Sequence, residues 1–264
     1  MTQDSGSPPS WWLKAMDQIS DPYERQSRLY PALLALSPLV VLVISLYGER
    51  LALISTVTST FVMCGVLFLL TDLARHLGKA KEQALWNKWG GIPSTQVLRH
   101  SDSTFDSIST KRYHTILTKT TGLKFPLPHE ETANPAAADA AYTSAGNMLR
   151  EATRDTTKFA LLFRDNISYG FRRNGFGLKP IGLIICLCCI LWVGIRHGIS
   201  PWEERFHNAI DLESFFDAGE LATLAAASLM MLVWQFFFTE KAARDAAFSY
   251  ARKLILACES LPDH

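Results

Sequence analysis

Residues 29–48 read LYPALLALSPLVVLVISLYG, twenty residues without a charged side chain. An α-helix needs about 20 predominantly apolar residues to cross the hydrocarbon core of a bilayer. This stretch alone therefore predicts a membrane-spanning helix, and three further uncharged stretches make the chain an all-α membrane protein with four transmembrane helices. They are residues 51–71, 180–195 and 221–239.

The uncharged stretches divide the chain into segments of different character. Residues 72–179 are long enough for a domain, and their strand signals are weak, so we predict a mainly helical domain inserted between helices 2 and 3. The tail follows a helical apolar pattern and is expected to pack on this domain. The predicted segments are an N-terminal tail with an interfacial helix (1–28), a transmembrane hairpin (29–71), the cytoplasmic domain (72–179), helices 3 and 4 (180–239) with an acidic external loop (196–220), and a C-terminal cytoplasmic helix (240–264).

The distribution of charge predicts which segments face the cytoplasm. Residues 72–179 contain 16 Lys and Arg against 10 Asp and Glu, whereas residues 196–220 contain 2 against 6. Lys and Arg close to the ends of membrane-spanning helices favour the cytoplasmic side. Such residues flank the inserted domain at both ends: Arg75, Lys79 and Lys81, and Arg172, Arg173 and Lys179. We therefore expect the inserted domain and both termini in the cytoplasm, and the acidic loop outside.

Turn and cap signals place helices within the inserted domain. The second span is expected to continue through residues 72–88 and to stop at Gly90-Gly91-Ile92-Pro93, a strong helix breaker. A further helix is predicted over residues 104–117. Asn134-Pro135 is a typical helix start, with Asn as the cap and Pro in the first turn, and the helix from there is expected to reach Thr156.

Basic residues of the inserted domain form a candidate site for an anionic ligand. Arg150, Arg154 and Lys158 follow one another at intervals of four, so on one helix they make a single stripe. With tyrosines as stacking surfaces, such a stripe would fit a nucleotide or a short single strand of DNA or RNA. The candidate ligand-binding residues are Arg150, Arg154, Lys158, Arg172, Arg173, Arg99, Lys111 and Arg112.

The same basic residues have a simpler interpretation. Glu151 and Asp155 are interleaved with the stripe, so it would also suit a solvated face of paired charges. Basic residues next to a membrane are attracted by anionic lipid, which makes membrane lipid a further expected partner. Both interpretations stay open at the level of sequence.

The second span is unusually polar in its first half. Ser55 and Ser59 share one face of a helix, and Thr56 and Thr60 share another. Hydroxyl groups in hydrocarbon pack against other helices or line water, so helix–helix contact and a pore lining are both possible. Gln235, in the fourth span, is a further pore-lining candidate. No Asp, Glu, Lys or Arg lies inside the four stretches, which argues against a proton relay or a charged transport site.

Trp11 and Trp12 open a short amphipathic pattern ahead of the first span. Paired tryptophans suit a membrane interface. We consider two roles for them. They could anchor a short helix at the membrane interface, or they could be a gating element that folds under a pore or against the cytoplasmic domain.

The sequence lacks signatures of catalysis and of metal binding. No GxxxxGK[ST], GxSxG or His-Glu-x-x-His motif occurs, and no two histidines of the domain have the i, i+4 spacing of a helical zinc site. We therefore expect no metal, no cofactor and no enzymatic activity. An enzyme would have to rely on residues such as His100, Asp102 and His114, whereas Asp102 and Asp106 suit a helix cap and a turn.

Two motifs carry a resemblance to known proteins, WGGIPST at residues 89–95 and GFRRNGFGLKPIG at residues 170–182. Over residues 80–185 the chain resembles a family of bacterial four-helix membrane proteins with a soluble insertion, the membrane effectors of anti-phage defence, such as those of the Hailong system. The resemblance implies a homo-oligomer, a tetramer, in the bacterial inner membrane. It also implies a partner nucleotidyltransferase whose oligonucleotides hold a membrane channel closed. Neither motif has a chemical role in the family, so it assigns no functional residue.

These observations lead to two functional hypotheses. The first is an oligomeric channel effector of antiviral defence that depolarises the membrane and is gated by a nucleotide or oligonucleotide bound to its cytoplasmic domain. The alternative is a non-conducting membrane scaffold that recruits a cytoplasmic partner through residues 72–179.

Overall fold

The computed structural model describes residues 21–51, 56–196 and 216–261. Within these ranges every regular element is helical, which confirms the predicted all-α class for them. A short helical turn (Pro22–Glu24) and a π-helix (Arg25–Leu29) lead into the first α-helix, and a 3-10 helix (Ala257–Ser260) follows the last. The α-helices of four or more residues, in chain order, are α1 (Tyr30–Leu51), α2 (Thr56–Trp89), α3 (Pro93–Gln96), α4 (Ser107–Thr121), α5 (Pro128–Ala133), α6 (Pro135–Ala152), α7 (Ala160–Arg196), α8 (Ala218–Phe236) and α9 (Glu240–Leu256).

The described residues form two compact units. The first unit is made of those within 1–79 and 173–239, and the second unit of those within 80–172 and 240–264. Two helices, α2 and α7, continue without interruption through the boundaries at residues 79 and 172. At about 1.5 Å per residue, the 37 residues of α7 span about 55 Å, well beyond the roughly 30 Å of a bilayer core.

Three helices of the described chain are long and apolar enough to cross a membrane: Pro22–Glu49, Ala160–Arg196 and Ala218–Phe236. Large apolar side chains on the first unit face outward, with Ile44 64%, Ile195 70% and Phe236 73% exposed. Such surfaces are unfavourable in water and suit contact with lipid. Part of the remaining predicted span, at residues 51–71, lies outside the described residues, so that span stays a prediction.

Close helix packing holds the first unit together. Ala32 and Leu36 of α1 form a small core with Leu70 of α2, and α1 also packs along α8. The helices α2 and α7 approach so closely that a Cβ added at Gly177 would lie 2.5 Å from the backbone nitrogen of Gly78. Glycine is required at this crossing because no side chain fits between the two backbones.

The second unit has its own hydrophobic core. Leu117 of α4, Tyr142 and Leu149 of α6 and Leu254 of α9 are fully buried together in it. The first residue of α9, Glu240, accepts hydrogen bonds from Lys88 Nζ at 2.7 Å and from the indole nitrogen of Trp89 at 3.3 Å, beside the end of α2. The C-terminal helix is therefore an integral part of this unit.

Most of the predicted helix ends in the second unit are confirmed. α2 ends at Trp89, directly before the Gly-Gly pair. Asn134 caps α6 by accepting a hydrogen bond from the Ala137 N–H at 3.1 Å. Asp106 caps α4 by accepting from the N–H groups of Ile108 and Ser109, so α4 starts at Ser107, three residues later than predicted.

The predicted end of the Ala-rich helix is wrong, because α6 stops at Ala152 and not at Thr156. Asp155 explains the early end. Its carboxylate accepts hydrogen bonds from the N–H groups of Thr157 and Lys158, both at 3.0 Å. Such local bonds favour a turn over a continuing helix.

Candidate anion-binding site in the second unit

Arg150 is held in place by neutral partners. Its Nη2 donates to Oγ of Ser94 at 2.8 Å, and its Nη1 donates to Oδ1 of Asn147 at 2.5 Å. Ser94 lies on α3 and is buried, and Gly146 leaves room for it, since a Cβ there would approach Oγ of Ser94 to 3.3 Å. Within the described residues none of these partners is a carboxylate. The guanidinium is therefore oriented by α3 and α6 without being neutralised.

Three other predicted ligand-binding arginines are paired with carboxylates. Arg99 contacts Asp139 at 2.6 Å, Arg112 contacts Glu259 at 2.8 Å and Arg154 contacts Glu151 at 2.9 Å. The hydrogen bond to Asp139 stabilises the charged form of Arg99 and so raises the pKa of its guanidinium. These three side chains have structural partners that an anionic ligand would have to displace.

The single helical stripe predicted for Arg150, Arg154 and Lys158 is wrong. Because α6 ends at Ala152, only Arg150 is on the helix, and Arg154 and Lys158 lie in the turn that follows. The Lys158 ammonium lies 5.2 Å from the centre of the Phe159 ring. The remaining candidates are Lys111, exposed on α4, and Arg172 and Arg173 on α7, of which Arg173 is buried in the first unit.

The WGGIPST motif forms the turn between α2 and α3. Gly90 and Gly91 have φ values of +93° and +132°, which only glycine adopts readily. The Gly91 carbonyl accepts from Gln96 Nε2 at 2.6 Å, and the Gly90 carbonyl accepts from Arg99 Nη2 at 3.0 Å. The motif thus positions Ser94, and Arg99 stabilises the turn.

A second polar cluster, the Glu131 network, is buried next to the core. The Glu131 carboxylate accepts from the Tyr142 hydroxyl at 2.7 Å and from the His100 backbone N–H at 2.9 Å. Burial raises the pKa of Glu131. The hydrogen bonds from His100, Tyr142 and the Ser101 backbone, together with the electrostatic effect of His100, lower that pKa by more, so it lies below its usual range. Burial, and then the bond to Glu131, raises the pKa of Tyr142. The network connects α5 and α6 with the segment after α3.

The two histidines considered for catalysis contact backbone carbonyl groups through their rings. A ring nitrogen of His114 lies 2.7 Å from the Leu98 carbonyl oxygen, and one of His100 lies 3.0 Å from that of Pro126. Asp102 accepts from the Thr104 N–H at 2.8 Å, and Asp106 is the cap of α4, as predicted for this pair. Within the described part of the chain, no group of three or more His, Cys, Asp or Glu could hold a metal ion.

Acidification is expected to destabilise the second unit in two steps. Burial lowers the pKa of His114 from its ordinary 6.5, and the pKa of Glu131 is below its ordinary 4.5. In both cases the unfolded chain binds more protons, so stability is present at higher pH and is lost as pH falls. Loss begins below pH 6.5 through His114 and continues below pH 4.5 through Glu131.

Hydrogen exchange of α4 and α6 in the detergent-solubilised chain, from pH 7.5 to 4, would measure this dependence. His114→Gln should flatten the change between pH 7 and 5 while leaving the step below pH 4.5. His76→Gln is the matched control, because that side chain is 74% exposed. An unchanged slope in His114→Gln would contradict the assignment.

The GFRRNGFGLKPIG motif is a packing motif of the first unit. A Cβ at Gly175 would overlap the ring of Phe238, and one at Gly182 would overlap the indole of Trp234. Gly177 faces Gly78, as described above. The helix α7 is continuous through Leu178 and Lys179, and Lys179 Nζ donates to the Gln235 carbonyl at 3.1 Å.

Most of the predicted pore and gating residues lie outside the described part of the chain. Trp11, Trp12 and Ser55 are not among the described residues, and the same holds for the side chains of Thr56, Ser59 and Thr60. Gln235 is exposed near the end of α8. The pore-lining role of all these residues stays a prediction.

Comparison with known proteins identifies no relative. No family model matches the chain, and neither a curated protein nor a solved structure matches it. The resemblance to anti-phage membrane effectors therefore stays a prediction. The sequence interpretation missed Ser94, Asn147 and Glu131 as partners in these clusters, because each acts through a contact that the spacing along the chain does not reveal. Tyr142 was considered as a stacking surface for a ligand, but its side chain is fully buried.

Proposed function

We propose that this chain is a subunit of an oligomeric membrane channel that is gated by an anionic ligand, a nucleotide or short oligonucleotide, bound to its second unit. The single observation that supports a ligand site is Arg150, whose guanidinium is oriented by Ser94 and Asn147 and carries a charge that these partners do not neutralise. Arginine with fixed orientation suits phosphate because its N–H groups match two phosphate oxygens.

The long helices provide a route from the ligand to the membrane. α2 and α7 belong in part to each unit and are continuous through the boundary. A ligand that binds one arrangement of the second unit better than another would also bias these helices. Four spans per chain, with residues 51–71 as the second, belong to this proposal.

An oligomer is proposed because the first unit exposes polar groups on apolar helices. Thr58 of α2 and Gln235 of α8 are exposed. Polar side chains in hydrocarbon favour contact with another helix or with water. Helices from several subunits arranged around a central water-filled pore would provide both. The proposed setting is a bacterial inner membrane with both termini and the second unit in the cytoplasm, where depolarisation would act in antiviral defence.

Two charge reversals test the proposed gating. Arg150→Glu should weaken binding of a fluorescent oligonucleotide to the purified chain by about tenfold or more, equivalent to about 1.4 kcal/mol. It should also change the membrane potential of expressing cells. Arg154→Glu is the matched control, because its partner Glu151 is on the surface, and we expect less than about a threefold change, since exposed ion pairs contribute little.

The scaffold alternative makes the opposite prediction. A chain that binds no oligonucleotide, passes no single-channel current in bilayers and leaves the membrane potential unchanged would contradict the channel. A stable cytoplasmic partner recovered with the second unit would then support the scaffold. Equal effects of Arg150→Glu and Arg154→Glu would remove Arg150 as the ligand site while leaving the channel itself testable by its currents.

A further inference from the structure

Two hydrogen bonds join α7 to α1 and to the π-helix before it. At one end, the carbonyl oxygen of Ser27 accepts a hydrogen bond from Nδ2 of Asn174 at 2.8 Å. At the other end, the hydroxyl of Tyr47 accepts from the indole nitrogen of Trp192 at 2.9 Å. The two contacts are twenty residues apart in one segment and eighteen apart in the other. Because these intervals are nearly equal, the two helices run parallel, and positions on one can be matched with positions on the other.

One end of this helix pair carries aromatic and charged side chains that suit a membrane surface. Trp192 is 46% exposed, and the Arg196 guanidinium lies 6.0 Å from the centre of the Tyr47 ring. Nη1 of Arg196 lies 3.7 Å from the carboxylate of Glu220, in the first turn of α8. Trp and Tyr are enriched where lipid headgroups meet hydrocarbon, because each has an apolar ring and a polar group. We call these four residues the Trp192 end.

The opposite end has the same character. Tyr30, at the start of α1, is 44% exposed. Lys179 of α7 donates from Nζ to the Gln235 carbonyl at 3.1 Å, so its ammonium is held near the C-terminus of α8. Phe236, the last residue of α8, is 73% exposed. We call these four residues the Lys179 end. A lysine at this end and Arg196 at the other would each face the phosphate groups of one lipid layer.

The two ends are separated by nearly the same length on each helix. Their residues are seventeen positions apart on α1 and on α7, and fifteen apart on α8. At about 1.5 Å per residue, this separation is about 25 Å. Between the two ends the three helices carry no charged side chain. Large apolar side chains are exposed halfway along each helix, with Leu39 37%, Leu187 49% and Leu229 58% exposed.

We propose that the two ends lie at the two surfaces of a lipid bilayer, and that the apolar surface between them binds a hydrocarbon core about 25 Å thick. A typical core is roughly 30 Å thick. Mismatch between the apolar length of a helix and the bilayer is unfavourable, so the first unit prefers lipids with short acyl chains. At the Trp192 end, the Tyr47 oxygen accepts from Trp192, and its own proton is donated to a lipid phosphate or ester oxygen. This proposal does not depend on the channel or on Arg150.

The first test changes the thickness of the bilayer around the purified full chain. Its melting temperature is measured in vesicles of dimyristoleoyl-, dioleoyl- or dierucoyl-phosphatidylcholine, whose acyl chains become longer in that order. We expect the highest melting temperature in the dimyristoleoyl lipid and a decrease with each increase in chain length. A maximum in either of the longer lipids, or equal values in all three, would overturn the proposed thickness.

The second test places a lysine at two depths of α7. Leu187→Lys is halfway between the two ends, and Ile195→Lys is next to Arg196; both native side chains are exposed. We expect Leu187→Lys to lower the ratio of folded to unfolded chain by about a hundredfold, because a charge is most unfavourable at the centre of a bilayer. Ile195→Lys should lower it by less than about fivefold, because a lysine near a helix end reaches the surface. The ratio is measured by SDS titration in bicelles of the dimyristoleoyl lipid.

The outcomes distinguish lipid from a second copy of the chain as the partner of this surface. Equal losses for Leu187→Lys and Ile195→Lys would overturn the proposed position of the bilayer. If Leu187→Lys changed the size of the particle in detergent, measured by light scattering, a second copy would cover this face and lipid would be overturned as its partner. An unchanged size together with the expected difference in stability supports lipid. The lipid series needs only the wild-type chain, so it remains decisive if Leu187→Lys cannot be purified.

Discussion

Gly177→Ala is expected to destabilise the first unit by about 3 kcal/mol, because the added methyl group would overlap the backbone of α2. The new Cβ would lie 2.5 Å from the nitrogen of Gly78 and 2.7 Å from the carbonyl carbon of Leu77. Both contacts are to backbone, so no side-chain rotation relieves them. The helices would have to separate, which would also disturb the neighbouring packing of Gly175 on Phe238.

The measurement is unfolding of the full chain in mixed micelles with increasing SDS. Gly65→Ala is the matched control, because Gly65 is also in a helix of the first unit and has no atom within 4 Å of an added Cβ. Alanine is favoured over glycine in a helix by roughly 0.5–1 kcal/mol, so the control should be neutral or slightly stabilised. Equal behaviour of the two variants would show that α2 and α7 do not cross in this way.

Glu131→Ala is expected to destabilise the second unit by about 3 kcal/mol, since one buried donor and one partly buried donor lose their acceptor. The donors are the Tyr142 hydroxyl and the His100 backbone N–H, at 2.7 and 2.9 Å from the carboxylate. The side chain of Tyr142 is fully buried, so water cannot replace the lost acceptor without opening the core. The truncated side chain also leaves a cavity.

Chemical unfolding combined with hydrogen exchange of α4, α5 and α6 would quantify the loss. Glu131→Gln keeps the shape and one acceptor oxygen, and should lose less stability than Glu131→Ala. Glu151→Ala, on the exposed pair with Arg154, should have little effect. If Glu131→Ala were as stable as Glu151→Ala, the carboxylate would not connect these elements.

The fold class followed from local sequence because its signals are local. The uncharged stretch 29–48 is long enough to cross a bilayer whatever surrounds it, and Pro22–Glu49 is such a helix. Asn134 before Pro135 and the Gly90-Gly91 pair determine helix ends through bonds and dihedral angles within a few residues. The end of α6 was missed because Asp155, three residues beyond it, competes for the backbone.

The candidate sites depended on tertiary contacts. Sequence spacing predicted that Arg150, Arg154 and Lys158 share one helical stripe, but α6 ends at Ala152 and leaves only Arg150 on the helix. Arg150 is further distinguished by its hydrogen bond to Ser94 on another helix. Likewise, nothing local distinguishes Glu131 from Glu130, yet only Glu131 is buried against Tyr142.

The sequence by itself determined the helical class, three of the four predicted apolar spans and most helix ends, since these depend on hydrophobic length and on neighbouring residues. The tertiary structure decided which charges are neutralised, which glycines allow two helices to approach closely and which polar side chains are buried away from water. Those properties depend on distances between residues that are far apart in the chain, such as Asn174 and Ser27, and pattern along the sequence does not contain such distances.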